Sequence, residues 1–423
     1  MAHGGERLSQ DAIMSAPRRC IRQLGGLALC LWAGACRSSS TQAPLTTRDS
    51  AGLAIIESSS PEWAEHPPWR LGAEPRLTIG TAEGSEEYQL NWIWDAIRLQ
   101  SGVIVIGNAG SQELRFYDSM GTFIRSAGRK GEGPGEFGPY ADLRMWRLPG
   151  GVLAVRDAPM PRNNLFDTTG AFFRTVTLAV PPGAARPATV GAFADGTLLE
   201  IAYESEEGTA PGEVVRSAVR YFRYSQTGAS GALLSRVQSA PRYVHQAGNV
   251  VHYPYLPFAV EPVMVADSAT VLLLRDGNPE LERLDLEGRL IARIRWQPER
   301  RPVTAAIYKG YVSADLARAS NPEQKRLYEA LYRLTLPLPD FVPAYRDLYI
   351  DDTRHIWVER YRLPGEAERV WDVLDPGGRW LGPVTLPGRF WLHRAGADYL
   401  LGTQMDSLDV ERMQLYSLVR PRR

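Results

Sequence analysis

The chain has 423 residues, enough for one large or two ordinary domains. Its 48 basic residues balance 48 acidic ones; beyond residue 36 the balance is 44 to 46, which removes the electrostatic basis for nucleic-acid binding. Eleven Trp and 18 Tyr suit an all-β protein, and the three cysteines, Cys20, Cys30 and Cys36, leave everything downstream without a disulfide, a thiolate zinc site or a thiol nucleophile.

At the N-terminus, Arg18, Arg19 and Arg22 precede the apolar run Leu24 to Ala35, and then comes Cys36. A basic region followed by a short apolar run and small residues reads as a secretory signal over 1–36. The run is too short to span a bilayer. Ala33-Gly34-Ala35-Cys36 resembles the bacterial lipobox, with Ala33 where an aliphatic residue is usual. That resemblance implies lipidation at Cys36, and Arg37 in place of an aspartate implies an outer-membrane destination. Residues 1–13 lack the character of a signal's basic region, so Met14 is a second candidate start. Residues 37–51, rich in Ser and Thr, are expected to be a flexible tether, with the folded domain over 52–423.

The stretch Asp95 to Phe137 sets the pattern for the rest. Four short strand-like segments lie between the turns Ser101-Gly102 and Asp118 to Gly121; the apolar run from Val103 to Ile106 reads as a strand buried on both faces. The first turn recurs at Gly150-Gly151, Asp195-Gly196, Asp267-Ser268, Asp352-Thr353 and Gly396-Ala397. The second recurs at Asp167–Gly170, Ser225–Gly228, Asp285–Gly288 and Asp375–Gly378, and the intervals between the two are 19, 19, 32, 20 and 25 residues. Six first turns against five second turns predict a final unit of three strands, completed by RLTIG at 76–80. An all-β, six-bladed propeller closed by an N-terminal strand follows. GRKGEGPGEFGP at 128–139 and the DSMG turn at 118–121 resemble the NHL and TolB-like six-bladed family, including uncharacterised bacterial propeller lipoproteins. The glycines of GRKGEGPGEF do not open a helix, so a phosphate cradle is not expected there.

The long segments fall at one rim. They include 203–215, the crossover 237–258, a helical insertion over 302–336 between blades 4 and 5, and 360–369. Asn321-Pro322-Glu323-Gln324 predicts the start of the second insertion helix, which could either lid the ring or pack beside it. Loops gathered on a rigid ring commonly form binding surfaces. The crossover contributes Tyr243, His245, His252, Tyr253 and Tyr255, aromatic and polar groups suited to a sugar or peptide; no metal is expected there, since the histidine spacing fits no ligand pattern. Asp95, Asp142, Glu261 and Arg346 are expected near the mouth of the central channel. The leading expectation is an exported, lipid-anchored module that binds a peptide, protein or glycan in the cell envelope, without a cofactor. The alternative is a calcium-assisted hydrolase like the six-bladed lactonases, or a lyase, using Asp95, Asp142, Glu261 and a histidine such as His245.

Overall fold

The computed structural model describes residues 45–64, 68–158, 160–204 and 210–420, so the signal and Cys36 lie outside the described residues. Six antiparallel four-stranded blades surround a central channel. Their innermost strands are Ile93–Arg98, Met145–Leu148, Ala188–Ala192, Val263–Asp267, Tyr345–Ile350 and Phe390–Ala395. The sixth blade has three strands from the end of the chain. Arg70–Ile79 is its fourth, in the register Leu77 to Leu415, Thr78 to Gln414 and Ile79 to Met413. The ring therefore closes as the turn count predicts, and no blade is left with a free seam.

The apolar side chains form six wedges, one between each pair of neighbouring blades. Between blades 1 and 2, Ile97, Val105, Leu114 and Phe116 meet Met145, Leu153, Val155 and Phe166. The second strand of blade 1, Ile104–Asn108, is buried throughout because blades cover both its faces, which explains its unbroken apolar run. Each such Leu, Ile or Phe contributes about 1.5–3 kcal/mol of burial.

The recurring outer turn has two physical requirements. Asp118 Oδ1 accepts the Met120 and Thr122 N–H groups, Asp167 and Asp285 do the same at their own turns, and Asp375 Oδ1 accepts the Arg379 N–H. Glycine ends each turn because φ is positive there and because the turn presses on the preceding blade. At Gly228, φ is 84° and an added Cβ would lie 2.1 Å from the Thr177 carbonyl oxygen of blade 2.

Blade 4 differs from the expectation. Leu45–Ser50, expected within the tether, is a strand; it pairs with Leu53–Ser58, which lies parallel to the outermost strand Leu290–Trp296 of blade 4. The correction follows from Ala51-Gly52, which both take positive φ, 56° and 84°, as a two-residue hairpin turn requires. The hairpin covers an edge that would otherwise expose unpaired backbone.

By connectivity, the two short turns of each blade, most of them bearing glycine, lie at the bottom rim and the long insertions at the top. Helices α1 (Ala305–Arg318) and α2 (Pro322–Leu331) form the largest. Asn321 Oδ1 accepts the Gln324 N–H at 2.8 Å while Gln324 Oε1 accepts the Ser320 N–H, so the second helix starts where the sequence places it. Leu331 then packs with Leu336 of the same insertion and with Leu256 and Tyr243 of the crossover, and the Tyr311 ring of α1 lies 4.7 Å from that of Phe258. The helices thus pack on the neighbouring crossover; neither lines the channel.

Candidate functional site at the upper mouth of the channel

Charged pairs bridge the channel at two levels. At its lower end Arg147 of blade 2 reaches Asp352 of blade 5, diametrically opposite, at 3.0 Å, and Tyr399 of blade 6 donates to the same carboxylate at 2.9 Å. Higher up, Asp95 of blade 1 takes both N–H groups of Arg394 from blade 6 at 2.9 Å and the Met145 N–H of blade 2 at 2.9 Å. Arg394 itself donates to the Met145 carbonyl at 2.6 Å. The cavity that opens at the upper mouth and runs past this pair to Arg147 and Asp352 holds about 1040 Å³, at the upper limit for small-molecule sites; its upper part is the cup.

Four of the six innermost strands carry a β-bulge at the level of the cup. The extra residues are Trp94, Val190, Arg346 and His393, each set between two residues paired to consecutive partners on the next strand. A bulge re-aims side chains at the cost of a ladder hydrogen bond, and bulges concentrate beside functional sites. Left-handed backbone marks the same rim: Trp92 has φ 54°, Tyr140 φ 67° and Leu143 φ 45°. Such conformations cost about 1–3 kcal/mol each and persist only where the surroundings impose them. Here the Glu411 carboxylate accepts the Ile93 N–H at 2.8 Å and so holds the strained Trp92 segment to blade 6.

The aromatics so placed face water. Trp92 is 57% exposed, Trp94 50%, Tyr140 79% and Trp391 38%. Trp391 also carries the Arg369 guanidinium at 4.9 Å, and Arg369 pairs with Glu359, whose other oxygen is 3.5 Å from Arg346. The wall below divides by blade. Val190, Ala192, Val263 and Val265 make the side formed by blades 3 and 4 apolar. The remaining blades present Arg144, Asp347, Tyr349, His393 and the Asp95–Arg394 pair.

Asp347 is open to the channel yet ringed by protein on all sides; this burial, reinforced by Glu359, raises its pKa against the opposing pull of Arg346 and Arg144. Its sole hydrogen bond among the described residues comes from the Leu348 N–H. Burial pushes His393 down to about 4; Asp95 opposes the shift, and Arg394 and Arg144 add to it. The imidazole is therefore neutral at pH 7, its Nε2 2.7 Å from Thr403 Oγ1.

The residues expected at the mouth are dispersed. Asp95 lines the cup, locked in its staple. Asp142 is held by Arg156, whose Nε donates at 2.8 Å. Glu261 accepts the Ala240 N–H at 3.0 Å and the Tyr255 hydroxyl at 2.8 Å, and so braces the crossover. Arg346 stands at the rim, half exposed. These carboxylates do not converge, and among the described residues no group of three acids or histidines has metal-binding geometry. Tyr243 is packed against Leu256 and α2, Tyr255 lies under Arg242, and His245 and His252 face each other across the hairpin His245–Ala247/Val250–His252; none lines the cup. Sequence reasoning missed Trp92, Trp94, Tyr140, Arg144, Asp347, Trp391 and His393. The signal was present in aromatic residues clustered just before the first turns of blades 1 and 6, but bulges break the alternation that would have assigned them to the channel.

No protein-family model and no curated protein matches the sequence. Solved structures do. An inferred exported protein of Bacteroides fragilis aligns over 86% of this chain and 100% of its own, with TM-score 0.48 and 9% identity. A member of the DUF4221 family from Bacteroides vulgatus aligns over 83% and 98%, with TM-score 0.44 and 12% identity. Virginiamycin B lyase from Staphylococcus aureus aligns over 83% and 100%, with TM-score 0.38 and 9% identity. The six-bladed ring is read from this chain's own sheets; the three structures are what it resembles.

Proposed function

We propose that this protein is an exported binding module that holds a peptide or glycan in the upper cup. The observation that carries this reading is the exposed aromatic rim, Trp92, Trp94, Tyr140 and Trp391, at the mouth of the channel cavity and set partly on strained backbone. Exposed aromatics offer large apolar faces at small entropic cost and accept sugar rings or side chains by stacking. The basic and apolar leader ending in Cys36 supports export and a lipid anchor at that cysteine.

Titrating the protein with peptide and oligosaccharide mixtures while following tryptophan fluorescence tests the cup. A Trp92→Ala, Trp94→Ala double variant should bind at least tenfold more weakly with a melting temperature close to wild type; unchanged affinity would refute the assignment. Mass spectrometry of the native N-terminus tests the anchor, which fails if Cys36 is unmodified.

A second reading has one specific observation behind it. Neutral His393 and Asp347, the latter with a raised pKa, face the cup together with Arg144, an arrangement suited to proton transfer beside a developing anion. Lyase or hydrolase activity lost in both Asp347→Asn and His393→Gln would favour this reading. A calcium-assisted version has less support, because Asp95, Asp142 and Glu261 are already engaged by Arg394, Arg156 and Arg242.

A further inference from the structure

We infer that the ligand of the cup is a zwitterion of short-peptide size, its cationic end against Asp347 and its anionic end against Arg144. The inference rests on the binding reading above and narrows its ligand class.

Three observations carry it. First, the two charges stand on opposite walls, Arg144 at the start of blade 2 and Asp347 in the innermost strand of blade 5, on either side of the channel axis. Second, each lacks a close partner where its neighbours have one. Asp95 has Arg394, Glu359 has Arg369, and Asp142 has Arg156. Asp347 has no ion pair within 4 Å among the described residues and accepts a single backbone N–H. Arg144 approaches only Asp142, at 3.9 Å, and Arg156 already occupies that carboxylate. Asp347, ringed by protein, loses hydration that no ion pair within 4 Å returns, while the guanidinium of Arg144, 48% exposed, keeps donors free for an incoming anion. Third, the space between is lined on one side by Val190, Ala192, Val263 and Val265 and edged at the mouth by the aromatic rim. That surface accepts an apolar side chain lying between the two ends of the ligand. A neutral oligosaccharide would leave both charges unanswered; a polyanion would meet Asp347.

The test is calorimetric titration of the full chain with a pool of unblocked tripeptides, and with the same pool N-acetylated, C-amidated or both. The unblocked pool should bind, and each single block should weaken binding at least tenfold. Asp347→Asn should abolish the penalty for acetylation alone, and Arg144→Gln the penalty for amidation alone; both side chains face the channel, so both variants should melt near wild type. Blocks costing less than threefold would overturn the inference, as would variants that lose both penalties together. Binding of a neutral oligosaccharide in place of every peptide would sink the zwitterion while leaving the aromatic cup intact. If no probe perturbs the rim tryptophans, both readings fall.

Discussion

The two ends of the channel are built from the same six strands and obey different rules. At the bottom, turns are short and the principal charges are answered: Arg147 meets Asp352, Arg354 meets Asp267 at 2.8 Å, and Arg420 meets Asp351 at 2.8 Å. Burial alone would raise the pKa of Asp351, but hydrogen bonds from His355, Thr353 and Trp357, with the charge of Arg420, outweigh it and hold the group at about 2. At the top, three bulges display Trp94, Arg346 and His393, a fourth places Val190 in the apolar wall, and Arg144 and Asp347 are left without close partners. Both rims carry left-handed non-glycine residues, Ser268 and Arg354 among them at the bottom, but only the upper one combines them with bulges and unpaired charge, which is how stability and ligand recognition divide in a rigid scaffold.

The sharpest way to break this division is at the Asp95–Arg394 pair between the ends. Asp95→Ala leaves the Arg394 guanidinium without its carboxylate and releases the Met145 N–H, so three blades lose a common tie. The expected loss is about 3–5 kcal/mol in denaturant unfolding. Next come two left-handed glycines on opposite rims. Gly228→Ala at the bottom should cost more than the about 1–2 kcal/mol of left-handed backbone alone, because its Cβ would overlap the Thr177 carbonyl. Gly248→Ala at the tip of the upper hairpin has nothing within 4 Å and should cost only the backbone part. Equal destabilisation of the two variants would contradict the close-packed lower rim.

A smaller effect appears in the dependence of stability on pH. Glu200, buried between blades 2 and 3, is pushed up to about 8 by desolvation, against its hydrogen bond from Thr189 and the charge of Arg156. The folded state therefore retains a proton that the unfolded chain loses above about 4.5, and stability falls as pH rises from there to about 8. His393 acts with the opposite sign: the unfolded chain takes up a proton below 6.5 that the folded state refuses until about 4, so stability falls as pH drops through that window. The two slopes oppose between 4.5 and 6.5. Glu200→Gln should flatten the limb between pH 6.5 and 8, whose slope is at most about 1.4 kcal/mol per pH unit, and His393→Gln should flatten the acid limb. Chemical denaturation across this range checks both. The smallest expected change is Arg147→Ala, whose half-exposed pair should be worth less than about 1 kcal/mol. It should nonetheless increase hydroxyl-radical labelling of Tyr349 from below, because the lower seal is gone.

Fold and site differed in how far the sequence could be read. Gly121, Gly170, Gly228, Gly288 and Gly378 answer a local backbone demand, and the apolar runs between them answer a local burial demand, so blade count and closure were legible from spacing. The hairpin at Ala51-Gly52 was not, since a non-glycine residue at φ 56° conceals the turn. Asp95 was placed at the channel, but its arginine partner lies 299 positions away at Arg394.

What the sequence determined by itself was therefore the repeating architecture, the capped insertion helix and the gathering of long loops on one rim, each a consequence of contacts between near neighbours along the chain, together with the need for a closing strand, which followed from the turn count although its partner lies more than 300 positions away. Only the tertiary structure decided which charges are answered and which remain open to a ligand. Trp92, Trp94, Arg144, Asp347, Trp391 and His393 come from four blades and share one space because the ring closes, and bulges that no periodicity announces turn several of them inward. Ring closure and register shifts are properties of the assembled sheets, and the cup exists at no earlier level.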